Sequence, residues 1–139
     1  MDGRIFSAAL MACGIIFAQT VPQVKKTTAT ATSPVSGKDM YTHYCASCHG
    51  KDGKGDGPAA RAMKSAPTDL TQLAVNNNGK FPDIKVGHAI DGSYDLAAHG
   101  SHEMPVWGEV FHEMDGNGMP TAKLRIANLT AYVHSLQGK

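Results

Sequence analysis

The five residues Cys45-Ala46-Ser47-Cys48-His49 decide how this chain folds and what it can hold. On a helix, cysteines three positions apart lie on one face, and the histidine that follows can turn toward the same side. This spacing lets two thiols form thioethers with the vinyl groups of one haem while the imidazole binds its iron. The motif therefore predicts a single covalently attached haem c, held by Cys45 and Cys48, with His49 as an axial ligand.

Three other kinds of site use a Cys-x-x-Cys pair. A structural disulfide would suit an exported protein, but it gives no reason for His49. A thiol oxidoreductase should place the pair in a strand-helix pattern, which the neighbouring sequence lacks. A zinc site needs two more ligands with their own spacing, and the remaining cysteine, Cys13, lies near the N-terminus. Haem attachment is the interpretation that uses all three residues.

The first 35 residues differ in composition from the rest of the chain. Residues 1–18 combine a weakly positive start with an apolar run too short to span a membrane, which predicts a signal peptide and export to the periplasm. Residues 19–35 are rich in Thr, Ala, Val and Pro without periodicity, so we expect a disordered leader or tether. Lipidation at Cys13 is an alternative that would attach the protein to a membrane.

The haem domain is expected to cover residues 36–139 and to be all-α. A capping box at Ser36 starts a helix that carries the cysteine motif, and a glycine-rich stretch stops it. Further helices are predicted over 81–90 and 121–137 from apolar residues at steps of three and four. No β-alternation persists, so the domain should consist of helices and long connections packed around the porphyrin.

A six-coordinate iron needs a second axial ligand. Met104 is the favoured candidate, since Met104-Pro105-Val106-Trp107-Gly108 places it beside a proline that stiffens the loop and an indole that can close the pocket. His99 and His102 lie close by in sequence, and imidazole also binds haem iron. The candidates for the sixth ligand are Met104 first, then His102 or His99, and then another residue or an open position.

Together these motifs resemble a monohaem class I cytochrome c of the bacterial type. Tyr41 matches an aromatic residue before the cysteines, and Gly57-Pro58-Ala59 resembles a segment whose proline carbonyl holds the haem histidine. The resemblance covers about residues 36–137 and implies a small class I cytochrome c fold in which a Met-Pro loop supplies the sixth ligand. The segment 76–102 is longer than that pattern and contains three histidines.

Charge and resemblance together define the expected function. The net charge of +1 gives no reason to expect nucleic acid as a partner. We expect a monomeric electron carrier, not an enzyme, that meets redox protein partners and touches a membrane only if it is lipidated at Cys13 or docked on a respiratory complex. The alternatives are a haem enzyme or gas sensor with an open sixth position, or a haem-bearing subunit of a larger oxidase or dehydrogenase.

Overall fold

The computed structural model describes residues 29–93, 104–114, 116 and 119–138. The predicted signal peptide, the first part of the predicted leader, His99 and His102 lie outside these ranges. None of the helices in the described ranges combines the length and apolar character needed to span a bilayer.

Within these ranges the chain forms helices joined by long connections and contains no β-strand, which confirms the all-α prediction. The helices are α1 (Gly37–Tyr44), α2 (Ala46–His49), α3 (Asp83–Asp91), α4 (Trp107–Met114) and α5 (Met119–His134). Three single 3₁₀ turns lie between α2 and α3, at Ala60–Ala62, Leu70–Gln72 and Val75–Asn77.

The first helix starts where the capping box predicts. The Ser36 hydroxyl accepts a hydrogen bond from the Asp39 amide at 3.2 Å, which satisfies one of the free N–H groups of the first turn. The predicted single helix is divided at Cys45, which belongs to neither α1 nor α2. The amide of Cys45 still donates to the Tyr41 carbonyl at 2.9 Å, so the chain bends at this residue without losing its helical bonding.

The sequence analysis missed α4, which follows directly after the Met-Pro loop. Trp107, Phe111 and Met114 recur at steps of four and three, and this spacing puts all three on one face of a short helix. Phe111 is fully buried there, and its ring lies 5.6 Å from that of Trp107. The helix is only eight residues long, which is too short for the pattern to stand out in the sequence.

The core forms where α5 packs against α1, α3 and α4. The rings of Tyr41 on α1 and Tyr132 on α5 lie 5.1 Å apart, and Leu129 on α5 is almost completely buried. Buried apolar side chains come from every part of this contact: Met40, Tyr41, Tyr44, Phe81, Val86, Ile90, Phe111, Ala122, Leu129, Val133 and Leu136. This core keeps α1, α3 and α5 at fixed positions around the site.

Residues 29–35 run alongside α1 and α5. Arg125, a buried residue of α5, donates from a guanidinium nitrogen to the Thr32 carbonyl at 2.8 Å. Asn128, one turn further on, donates from its amide to the Pro34 carbonyl at 2.9 Å. The end of the predicted leader is thus in contact with the helical domain.

Candidate cofactor site

The cysteine motif occupies α2 and the bend before it. Cys45 precedes the helix and Cys48 and His49 end it, and the His49 amide donates to the Cys45 carbonyl at 2.8 Å. Both cysteines are half-buried, and they are not joined in a disulfide. The motif therefore forms a single helical turn with two thiols and an imidazole, as the sequence predicts.

The glycine-rich loop after α2 wraps back over this turn. The amides of Gly55, Gly57 and Ala59 donate to the carbonyls of His49, Cys48 and Ser47 at 2.8, 3.1 and 2.9 Å. These carbonyls are the ones that a helix leaves without partners at its C-terminal end. A side chain at Gly57 would collide with the Ser47 carbonyl and lie 2.7 Å from the Ala46 carbonyl, so the loop can approach α2 only with glycine there.

The His49 side chain is oriented by a backbone carbonyl. Its Nδ1–H donates to the Thr68 carbonyl at 3.0 Å, which leaves Nε2 free to bind a metal. Burial lowers the pKa of His49, although the bond to Thr68 acts in the opposite direction. Burial, the larger effect, favours the neutral imidazole, which is the form that ligates metals, and the hydrogen bond places its proton on Nδ1. The resemblance assigned this carbonyl to Pro58, and the structure gives the role to Thr68 instead.

Thr68 is held in place by the turn that follows it. The Asp69 carboxylate accepts from the Thr71 hydroxyl at 2.7 Å and from the Thr71 amide at 2.9 Å, and these two bonds lower its pKa. The Leu70 amide donates to the Gly53 carbonyl at 2.7 Å. The loop that carries the histidine's acceptor is thereby tied to the loop that covers α2.

The C-terminal residues hold the same turn from the other side. The Gln137 side chain donates to the Leu70 carbonyl at 2.7 Å and accepts from the Ala74 amide at 2.9 Å. The Gly138 amide donates to the Thr71 carbonyl at 3.2 Å. Gln137 and Gly138 therefore contribute to positioning His49. No local sequence pattern indicates this role.

A cavity of about 360 Å³ lies beside His49, between α1, α3 and α5. This volume falls within the range of about 300–1,000 Å³ that is common for small-molecule and cofactor sites. Most of its wall is apolar, formed by Tyr41, Leu70, Leu73, Pro82, Val86, Ala89, Ile90, Leu129 and Val133. Polar groups are supplied by Thr68, Asn76, Asn77 and Lys85.

The structure brings three of the four predicted site residues to this cavity. Cys45, His49 and Met104 all line it. Cys48 lies in the same turn as His49 but is not part of the cavity wall. Met104 is half-buried and contacts the hydrophobic core. The structure thus gathers Met104 with the cysteine motif, although 55 positions separate it from His49 in the sequence.

Two residues of the cavity wall, Tyr41 and Cys45, have side chains whose pKa is raised. Tyr41 donates its hydroxyl to the Gly50 carbonyl at 2.7 Å, and burial followed by the charge of Cys45 raises the pKa of this phenol. Burial, with a smaller contribution from Cys48, raises the pKa of the Cys45 thiol to about 12. An apolar site of this kind suits a flat hydrophobic cofactor better than a hydrated ion.

The chemistry of these donors fits a covalently held haem. Two thiols and an oriented imidazole share one helical turn, a thioether sulfur lines the same cavity, and the walls between them are apolar. In the part of the chain that the structure describes, no group of three or more His, Cys, Asp or Glu side chains is placed to hold a metal ion directly.

Comparison with known protein families gives a match over most of the described chain. The family model described as cytochrome C oxidase, cbb3-type, subunit III matches residues 32–119, which is more than half of the chain. No curated protein and no solved structure matches the sequence.

Proposed function

The chain belongs to this family of c-type cytochrome domains, which carry covalently bound haem c and transfer electrons through it, and we propose that it is an exported one-electron carrier with His49 and Met104 as axial ligands. Cys45 and Cys48 are the residues proposed to form the thioether bonds. The observation that carries the proposal is the single cavity lined by Cys45, His49 and Met104 together.

Bound in this cavity, the haem supplies a reversible one-electron couple at its iron, which a histidine-methionine ligand pair keeps at a high reduction potential. The protein's own part is to fix the ligands and exclude water. His49 is fixed by its bond to the Thr68 carbonyl, which also raises the basicity of the ring nitrogen that faces the cavity. Apolar side chains of α3 and α5 line the cavity and would limit the access of water to the bound haem.

The proposed periplasmic location follows from the N-terminal sequence. Residues 1–18 have the composition of a signal peptide, which predicts export. Attachment of haem to a Cys-x-x-Cys-His motif is compatible with export, because both thiols would be bonded to the haem. A periplasmic electron carrier is the simplest kind of protein that is exported and whose haem iron has two ligands from the protein.

A second candidate is a haem-bearing subunit of a larger oxidase. The description of the matching family, subunit III of a cbb3-type oxidase, favours it. The two candidates share the same haem chemistry and differ in their partners. Copurification with a membrane-bound oxidase after mild detergent extraction would favour the subunit, whereas recovery in the periplasmic fraction as a monomer would favour the carrier.

The absorption spectrum of the purified, exported protein tests the ligand assignment. The proposal expects a low-spin haem in both oxidation states, the charge-transfer absorption of methionine-ligated ferric haem, and no uptake of carbon monoxide by the ferrous protein. A high-spin, five-coordinate haem that binds carbon monoxide readily would contradict the carrier and favour a haem enzyme or a gas sensor.

A further inference from the structure

The Tyr44 side chain lies between two parts of the chain that are far apart in sequence. On one side are residues 29–34, the N-terminal strap. On the other is the loop of residues 104–108, which carries Met104. Tyr44 is the last residue of α1 and is 8% exposed, so both of its neighbours are held against a buried side chain.

The strap is bound to the Tyr44 hydroxyl by three hydrogen bonds. The hydroxyl donates to the Thr30 carbonyl at 2.8 Å and accepts from the Thr32 amide at 3.0 Å. The Thr32 hydroxyl lies 2.9 Å from the Tyr44 hydroxyl, within hydrogen-bond distance. The Met114 sulfur lies 3.6 Å from the same hydroxyl as a further acceptor, and together these contacts restrict the rotation of the Tyr44 hydroxyl and the position of its ring.

The Tyr44 ring packs on the face of α4 that follows Met104. Its centroid lies 5.1 Å from that of Trp107 with the planes tilted by 32°, and 5.6 Å from that of Phe111. These separations are in the range in which aromatic pairs attract each other. Trp107 is only three positions beyond Met104, and Pro105 between them has a fixed φ, so the short connection between the indole and the thioether has restricted freedom.

The opposite side of the same loop rests on the end of α3. A side chain at Gly92 would lie 2.5 Å from Val106, and one at Gly108 would lie 2.5 Å from the Asp91 carbonyl and collide with its carboxylate. These two glycines allow the loop to approach α3 closely. The loop is therefore held between α3 on one side and Tyr44 on the other.

We propose that Tyr44 is a positioning residue for the Met104 ligand: fixed by the N-terminal strap, its ring holds Trp107 and thereby keeps the thioether at the cavity. The inference rests on the proposed ligation by Met104. It also gives the strap a role in the haem site, because the strap's hydrogen bonds determine where the Tyr44 ring lies.

Competition by free imidazole for the ferric iron tests this role. In Tyr44→Leu, which keeps a buried apolar side chain but removes the ring contact, the apparent affinity for imidazole should rise roughly fivefold, the size expected for the loss of one aromatic pair. In Tyr44→Phe, which keeps the ring and releases the strap, the rise should be smaller, about twofold. The reduction potential should fall in the same order.

Tyr132→Leu is the matched control. Tyr132 also pairs with a buried tyrosine, but its partner is Tyr41 and it does not line the cavity. This variant should lose stability without gaining affinity for imidazole. Unchanged imidazole affinity in Tyr44→Leu, or an equal rise in Tyr132→Leu, would overturn the positioning role alone. A wild-type protein without methionine ligation would overturn both the role and the proposed ligand.

Discussion

The Nδ1 atom of His49 lies 3.0 Å from the carbonyl oxygen of Thr68, a residue 19 positions further along the chain. This bond fixes which ring nitrogen faces the cavity. The position of the Thr68 carbonyl depends on the turn from Thr68 to Thr71. In this turn the amide and the hydroxyl of Thr71 both donate to the Asp69 carboxylate. The stability of a surface turn is therefore linked to the orientation of the proposed iron ligand.

The Asp69 carboxylate should make the stability of the protein depend on pH. Its pKa is lowered in the folded state, chiefly by the Thr71 hydroxyl and then by the Thr71 amide. The stabilisation is therefore fully present above the pKa of an unfolded aspartate, about 3.9, and is lost as the pH falls through the lower folded value. Asp69→Asn should lower the urea midpoint at pH 7, and the difference from wild type should shrink toward pH 3. An equal difference at both pH values would show that the charge has no part in it.

Two buried threonines should respond in opposite ways to the same substitution. The Thr71 hydroxyl donates to Asp69 and accepts from Gln72, whereas the hydroxyl of Thr130 is buried without a hydrogen-bond partner among the residues described. Thr71→Val should cost about 1 kcal/mol because it removes both hydrogen bonds of a buried hydroxyl, although the backbone amide of residue 71 still donates to Asp69. Thr130→Val should be neutral or stabilising by up to about 1 kcal/mol. Chemical denaturation of the two variants side by side checks this, and equal losses would contradict it.

Two glycine-to-alanine substitutions should separate close packing from conformational freedom. Gly57→Ala places a methyl group against the Ser47 carbonyl, so the loop must move away from α2. We expect a loss of about 2 kcal/mol or more and a lower yield of haem-loaded protein. Gly87→Ala, in the interior of α3, meets only ordinary contacts at 3.7 Å or beyond and should be stabilising by about 0.5–1 kcal/mol. If Gly57→Ala is as stable as wild type, the loop does not pack as described.

Replacing Met104 should open the sixth position of the iron. Met104→Ala is expected to convert the low-spin haem to a high-spin form that binds carbon monoxide when reduced. Met63→Ala, at a half-buried position outside the cavity wall, should leave the spectrum unchanged. A Met104→Ala protein that stays low-spin, together with a His102→Ala protein that becomes high-spin, would transfer the ligand role to His102.

Local patterns in the sequence were enough to predict much of this fold. Ser36 predicts the start of α1 because a serine hydroxyl caps the amides of the helical turn that directly follows it. Pro82 and Gly92 mark the two ends of α3. The steps of three and four in α5 reflect a face that packs on three other helices. The positions of these three helices could therefore be predicted from the residues within and next to them.

The details that the sequence did not predict depend on distant parts of the chain. The acceptor for His49 is Thr68 and not Pro58, because the turn at Asp69 is held by Gly53 and Gln137. The helix α4 is too short to be recognised from periodicity alone, and it is stabilised by contact of Phe111 with the core. Met104 could be proposed from its own loop, but its place on the same cavity as His49 depends on the packing of α3 and α5.

The most direct test of the central claim is the intact mass of the exported protein, measured under denaturing conditions after treatment with a thiol-alkylating reagent. The account predicts the mass of the mature polypeptide plus one haem, with Cys45 and Cys48 unmodified by the reagent because both sulfurs are already bonded. A polypeptide that loses its colour on acid-acetone extraction, and whose two thiols are both alkylated, would contradict it.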